Sequence, residues 1–450
     1  MTSSTATPRR PRVLQVAYAC EPYYGSEQGV GWNWAKQASR ACDIWVICCA
    51  DDCRGVIEQY LAENGEIPYL NFVFLPQSKI QRGIHKFSRW LPFLNYYAFK
   101  RWHYQAYQLA RKLHADIDFD LVHHVNFIGY REPGYLWKMG VPFVWGPIGG
   151  VQNCPWRFSL PWGGSRIKET IRTICNSIQL RTSLRVRRAA SRASVRLTAN
   201  STAKRYVEQV LGYPAFLMHE NGIEKIVGQK QHNRNFDEPL RLLWSGGLNF
   251  RKALHLVLHA LSRLPSESSY ELRVVGDGPL RQNLQKLADE LGIARNIEWL
   301  GRIPHEKALE QYHWADVFVF SSLRDTTGTV MLEAFASGVP VICLDHQGAH
   351  DFVTEECGIR IPVTSPQTVI ETLTEAVVEC ARDRDLVRRK SEGALERAKV
   401  FLWDRQGERM ARIYRQVLEK HCKSTDEIRI EIPDQLPEDS KEMVSLYAKS

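Results

Sequence analysis

Two α/β domains, each a parallel sheet with helical crossovers, are predicted by three features of the sequence. Short β-branched and aromatic runs alternate with helix-like stretches along both halves, as crossover connections require. A length of 450 residues exceeds what one hydrophobic core usually supports. Residues 316–340 read as a buried strand, a turn and the start of a helix, the unit from which such sheets are built. In the first domain, residues 1–225, strands are expected at 12–18, 44–49, near 70–75, 121–125 and 142–145. Residues 226–239 are polar and poor in apolar side chains, which marks a linker. The second domain is placed at 240–404, with a further helix over 405–422. The tail 423–450 has mixed charge and two prolines and is expected to be a loosely ordered extension.

Hydrophobic residues make up 44% of the chain and charged residues 24%, the balance of a soluble globular protein. No apolar run approaches the roughly eighteen residues of a spanning helix, and residues 1–11 lack the apolar core of a signal peptide. A cytoplasmic protein is expected. The 11 cysteines are odd in number and lack a paired CxxC arrangement, so reduced thiols explain them better than disulfides or zinc.

The net charge of +9 hides an asymmetry. Residues 67–207 contain 22 Lys and Arg against 5 Asp and Glu, so basicity belongs to the first domain and the remainder of the chain is acidic. Between residues 79 and 112 there are eight basic and nine aromatic residues and no carboxylate. Ile80, Ile84, Phe87, Leu91 and Leu94 recur there at helical spacing beside Lys79, Arg82, Lys86 and Arg89, and Pro92 is expected to divide the stretch into two helices. Between residues 157 and 205 twelve basic residues face Glu169 alone, and Ile167, Ile171, Ile174 and Ile178 form a second stripe. Such basic amphipathic faces suit an anionic membrane surface, reached from the cytoplasmic side as a peripheral contact. The alternative is that the stripes are ordinary core and the cations a solvated face. Nucleic acid is not expected as a partner, because no reading motif is present and the acidic second half would oppose a long polyanion.

The chemistry concentrates in Asp325-Thr-Thr-Gly-Thr-Val-Met-Leu-Glu333, which sets two carboxylates eight positions apart across a turn and the opening of a helix. Ligands of open α/β sheets bind at such a strand end. Backbone N–H groups near Thr329 and Val330 would face an anion such as a diphosphate. A carboxylate is poorly aimed at phosphate, so Asp325 and Glu333 more plausibly accept hydrogen bonds from hydroxyls of a sugar and a ribose. An isolated Glu would more often cap or pair within its own helix.

This segment resembles the Glu-x7-Glu motif of glycosyltransferase family 4, retaining transferases of the GT-B fold, with Asp325 in place of the first Glu. The resemblance continues in order through Leu242-Leu-Trp-Ser-Gly-Gly-Leu248, Arg251-Lys252-Ala253, Glu271-Leu-Arg-Val-Val-Gly-Asp-Gly-Pro279, Ile297-Glu-Trp-Leu-Gly301 and Pro340-Val-Ile-Cys-Leu-Asp345. In the first half, Leu197-Thr-Ala-Asn-Ser201 and Asn221-Gly-Ile-Glu224 match as well. It implies two Rossmann-like domains facing each other across a cleft, with a final helix crossing back onto the first domain after the corner Phe401-Leu-Trp403. It also implies a donor site at Gly246, Gly247, Arg251, Lys252, Thr329, Val330 and Glu333, with Lys252, Asp325 and Glu333 as the catalytic set. Gly247 stands where the family carries a diphosphate-binding Arg, and Arg251 is the nearest replacement for that charge.

On the acceptor side, Gly25, Gly29 and Gly31 follow the first strand, where a glycine-rich turn lets backbone approach a ligand. His123, at a strand end, and Gly149 and Gly150, in Trp145-Gly-Pro-Ile-Gly-Gly150, complete that side. Asp116-Ile-Asp118 matches the DxD pattern of metal-dependent transferases, but short carboxylate pairs are common by chance, and a site built on helix dipoles and cations needs neither metal nor cofactor. The expected reaction is transfer of a sugar from a nucleoside-diphosphate sugar, the co-substrate, to a hydroxyl of a lipid-linked or saccharide acceptor. The alternatives are a sugar-nucleotide epimerase on the same fold and a non-catalytic sugar-nucleotide-binding protein.

Overall fold

The computed structural model describes residues 9–23, 25–87, 93–158, 165–228 and 238–423. Pro92, most of the expected linker and nearly all of the expected tail lie outside them. The first sheet contains β1 (Arg12–Ala17), β2 (Asp43–Cys49), β3 (Leu70–Leu75), β4 (Leu121–Asn126), β5 (Phe143–Ile148), β6 (Val195–Thr198) and β7 (Phe216–Leu217) in the order β3-β2-β1-β4-β5-β6-β7. The second contains β8 (Leu240–Ser245), β9 (Tyr270–Val275), β10 (Ile297–Gly301), β11 (Val317–Phe320), β12 (Val341–Leu344) and β13 (Gly358–Ile361) in the order β10-β9-β8-β11-β12-β13. Every pairing is parallel. The central strands β4, β5 and β11 are buried throughout, which is why β5 and β11 are apolar runs rather than alternations, while β4 buries His123, His124 and Asn126 as well. In each sheet the strand order reverses once, between β1 and β4 and between β8 and β11, and the crevices at those reversals are where such sheets receive ligands.

The chain crosses between the domains twice, side by side. Ile223 and Leu402 form a parallel bridge, with Ile223 N donating to Phe401 O at 2.9 Å and Trp403 N donating to Ile223 O at 2.9 Å. After this corner the helix Trp403–Lys423 packs on the helix Ser26–Ala38 of the first domain, and Trp403 meets Trp34 edge-on at 5.5 Å. Met410, Ile413, Tyr414 and Val417 join the first domain's core.

Tyr414 also completes a buried polar chain. The His123 Nε2–H donates to Gly146 O at 2.7 Å, so its Nδ1 accepts from the Tyr414 hydroxyl at 2.6 Å, and that hydroxyl accepts from Gln15 Nε2 at 3.0 Å. Burial holds His123 neutral, its pKa pushed down to about 4. Tyr414→Phe leaves His123 Nδ1 and Gln15 unsatisfied in the core and is expected to cost about 1–3 kcal/mol. The measurement is the first transition in guanidinium unfolding; an unchanged midpoint would show that the chain contributes nothing to docking of the last helix.

Candidate functional site

The turn after β11 organises the cleft. Gly328 starts the helix Thr329–Ala336 with φ +96°, a conformation that favours glycine, and a Cβ there would lie 2.9 Å from the Phe320 ring and 3.0 Å from Met331. Beyond it Thr329 and Val330 begin the helix, where backbone N–H groups lack intrahelical acceptors.

From the neighbouring strand β8, the loop through Gly246 and Gly247 leads to Arg251 and Lys252. Lys252 Nζ is ion-paired and hydrogen-bonded to Asp325 Oδ2. Arg251 Nη1 lies 3.6 Å from Asp325 Oδ1 and donates to Arg324 O at 3.2 Å. The two loops are stitched together by Leu323 N donating to Arg251 O at 2.7 Å and by the Ser321 hydroxyl donating to Lys252 O at 2.8 Å. Gly246 lies against the Lys252 stem, and Gly247 faces Asn249 and the Asp277 carbonyl. Two cations therefore meet one carboxylate at the mouth of a helix, and Arg251 brings a guanidinium to a site whose glycine supplies none. Glu333, on the helix itself, accepts from the Tyr312 hydroxyl at 3.0 Å and lies 3.9 Å from His305 Nε2. Burial raises its pKa, opposed by His305 and the Tyr312 bond.

The first domain clasps this turn. Asn200 Nδ2 donates to Thr326 O at 2.6 Å, and Asn221 Nδ2 donates to the Thr327 hydroxyl at 2.9 Å. That hydroxyl in turn donates to Glu220. Gly149 abuts Thr326, where a Cβ would come within 2.7 Å of Thr326 Cγ2. Gln347 accepts from Asp325 N at 2.9 Å and donates to Asn153 O at 2.9 Å, while Arg324 is bridged to Glu169 at 2.8 Å. None of Asn153, Glu169, Asn200, Glu220 or Asn221 was identified as a site residue from the sequence. The pieces around residues 197–201 and 221–224 carried the only signal.

Two buried carboxyls escaped the sequence entirely. Burial and the nearby Glu27 raise the Glu220 pKa to about 8, against the Thr327 bond, and burial raises that of Glu27 to about 7. Glu27 Oε2 and Glu220 Oε2 are shut off from solvent without a hydrogen-bond partner.

Several expected residues lie elsewhere. His123 is fully buried and held by Tyr414 and Gly146, so it does not face the cleft. Gly29 and Gly31 sit inside the helix Ser26–Ala38 rather than in a turn. Gly31 serves packing, since a Cβ there would fall 2.0 Å from Ala19 O. Gly25 precedes that helix, exposed, with nothing near its missing Cβ. Gly150 adopts φ +74° and packs on Gly129. Asp116 and Asp118 precede β4, at the amino-terminal edge of the sheet and away from the strand ends that form the cleft.

Residues 228–392 match the family described as glycosyl transferases group 1. The GDP-mannose-dependent monoacylated alpha-(1-6)-phosphatidylinositol monomannoside mannosyltransferase of Corynebacterium glutamicum is 30% identical over 153 residues, 32% of this chain and 38% of that protein. The chain spans between 37% and 46% of the length of the first curated relatives it matches. Sucrose-phosphate synthase from Thermosynechococcus elongatus superposes with a TM-score of 0.61 at 17% identity, covering 91% of this chain and all of that one. Anabaena HepE in complex with UDP and glucose gives 0.57 at 14% identity, over 92% of this chain and all of that one. These likenesses show the GT-B fold across nearly the whole chain.

Glu220 generates a pH signature. The unfolded chain releases its proton near pH 4.5 and the folded chain near pH 8. The contribution to stability is therefore full below about pH 4.5 and is lost as pH rises to about 8. Comparing unfolding free energies across that window, Glu220→Gln should flatten the decline by a few kcal/mol. Parallel curves for wild type and variant would mean that Glu220 is ionised in the folded protein.

Proposed function

We propose that this chain, whose residues 228–392 belong to the glycosyl transferases group 1 family, is a retaining glycosyltransferase that moves a sugar from a nucleoside-diphosphate sugar to an acceptor hydroxyl. The observation that carries the reading is the pairing of Lys252 and Arg251 with Asp325 beside the amino terminus of the helix Thr329–Ala336. An arriving diphosphate competes with Asp325 for both cations and adds the helix N–H groups as donors. Once displaced, Asp325 is free to accept a hydrogen bond from a hydroxyl of the transferred sugar. Glu333, one to two turns into the helix, holds the ribose.

In the transfer step the bond from the anomeric carbon to the diphosphate oxygen breaks, and a bond to the acceptor oxygen forms on the same face. The acceptor's proton passes to the departing diphosphate. Negative charge grows on the leaving oxygens, where Lys252, Arg251 and the N–H groups of Thr329 and Val330 stabilise it, so the reading assigns no step to a metal or cofactor. UDP is the first nucleotide to test, since HepE was solved with UDP and glucose. A lipid-linked or saccharide acceptor is supported by the C. glutamicum relative, whose name specifies a phosphatidylinositol mannoside.

Contact with an anionic membrane is part of the same reading. Ile167, Ile171, Ile174 and Ile178 project from the helix Ser165–Thr182 at 54–66% exposure, far from the burial expected of core residues. Trp156, Arg157, Arg181 and Leu184 flank them, exposed as well. On the helix Lys79–Phe87, Lys79, Ile80 and Arg82 are exposed, whereas the side chains of Lys86, Phe87, Leu91 and Leu94 lie outside the described residues, as does Arg89. Among the described residues no helix is long and apolar enough to cross a membrane.

The donor site is tested by two variants with opposite effects. Asp325→Asn frees both cations, so UDP should bind several-fold more tightly while transfer falls by at least about a hundredfold, or roughly 2.7 kcal/mol. Glu333→Ala should weaken UDP by about 1.5–3 kcal/mol without lowering the melting temperature. Calorimetry and turnover read both, and UDP affinity unchanged in both variants would remove the diphosphate from this turn.

The membrane reading is tested by vesicle co-sedimentation across a salt series. Replacing Lys79, Arg82, Lys86 and Arg89 by Gln should weaken binding to anionic vesicles more than about tenfold at low salt, and raising salt should weaken the wild type. Equal binding of wild type and variant would assign this face to solvent.

A further inference from the structure

A cavity of about 990 Å³ opens at the carboxyl ends of β1, β2 and β3. It adjoins the point between β1 and β4 where the first sheet reverses its strand order. Its floor is aromatic: Tyr18, Phe99 and Phe127 pack mutually with centroids 4.5–5.1 Å apart. Its walls carry Glu21, Glu27, Asp51 and Asp52 against Arg82, the one cation lining it among the described residues. This is the reverse of the surrounding domain, where cations outnumber carboxylates. Asp51 is engaged, accepting from Gln77 N at 2.6 Å and lying 3.9 Å from Arg82. Burial, and then the neighbouring Asp52 carboxylate, raise the pKa of Glu21. Glu27 also lines the cavity, with its Oε2 closed to solvent and without a partner.

We infer that this cavity is the acceptor subsite and that it takes a saccharide unit offering hydroxyl or ammonium donors and carrying no negative charge. The inference rests on the transferase reading and adds the chemistry of the acceptor to it. A sugar ring can lay its C–H face on the aromatic floor while its O–H or N–H groups satisfy Glu21 and Asp52. An ammonium relieves the repulsion between the carboxylates; a uronate or sugar phosphate adds to it. Glu27 also links this cavity to the donor turn, because it is close enough to Glu220 to raise that carboxyl's pKa, and Glu220 holds Thr327. Any phosphate of a lipid-linked acceptor must then lie outside the cavity, towards the basic faces of the same domain.

The test uses the full chain without donor and four probes at one neutral pH: glucosamine, glucose, glucuronate and glucose 6-phosphate. Titrations followed by ligand-detected NMR should show glucosamine binding about tenfold more tightly than glucose, and both anions about tenfold more weakly than glucose. In Glu21→Gln/Asp52→Asn the four affinities should converge to within about threefold, with UDP affinity unchanged. Anions binding as well as glucose, no probe binding at millimolar concentration, or a preference that survives the double variant would each overturn the inference. UDP titrated separately keeps the two readings apart: sugars failing while UDP binds removes only the acceptor assignment, and UDP failing removes the donor site.

Discussion

Everything at the cleft depends on the four-residue turn from Asp325 to Gly328 being gripped from all sides. Its backbone carbonyl at Thr326 is held by Asn200, its hydroxyl at Thr327 by Asn221 and Glu220, its first N–H by Gln347, and its carboxylate by Lys252 and Arg251. Asn200, Glu220 and Asn221 come from the first domain, the other grips from the second. The same bonds that position the carboxylate therefore set the spacing between the domains. A buried polar group that loses its partner is costly, so the turn has little freedom to relax alone. Charge at this turn and closure of the cleft are thereby one problem rather than two.

The electrostatics divide along the same line. At the turn after β11 two cations converge on a single carboxylate, leaving a net positive site of the kind the proposed diphosphate needs. On the other side of Glu220 the carboxyls outnumber the cations; burial keeps Glu220 protonated near neutral pH and raises the pKa of Glu27 to about 7. A boundary of that kind, positive then neutral then negative over a few side chains, would orient the sugar nucleotide proposed as donor with its phosphates on one side.

The residues proposed for the second domain's site come together because they are local in the sequence. Asp325 and Glu333 are separated by one turn and one stretch of helix, and Lys252 and Arg251 follow directly on a strand end, so spacing along the chain is nearly spacing in the cleft. The first domain was less legible. His123 looked like a strand-end residue facing a ligand, but its partner is 291 positions away, on a helix that returns from the end of the described chain. Gly29 and Gly31 belong to a helix that starts a few residues earlier than a glycine-rich turn suggested, and what Gly31 accommodates is the chain's own Ala19 carbonyl. Glu27 and Glu220 carried no signal, since a carboxyl's burial is created by elements far apart in the sequence, around Ile128 for Glu27 and around Thr327 for Glu220. The isoleucine stripe at residues 167–178 shows the same limit in reverse: helical periodicity announced an apolar face, and only the fold shows that it is left uncovered.

The paired crossing at Ile223 and Leu402 bears on how such a protein can be recombined. Because the helix Trp403–Lys423 is covalently distal to the second domain yet forms part of the first domain's core, the chain has no single cut that separates two independent modules. A cut at the linker alone strips Met410, Ile413, Tyr414 and Val417 from the body they complete. An exchange of second domains between relatives needs two breakpoints, one on each strand of the crossing, with the last helix inherited from the parent of the first domain. Lineages of this architecture are then expected to trade the middle of the gene while its two ends descend together.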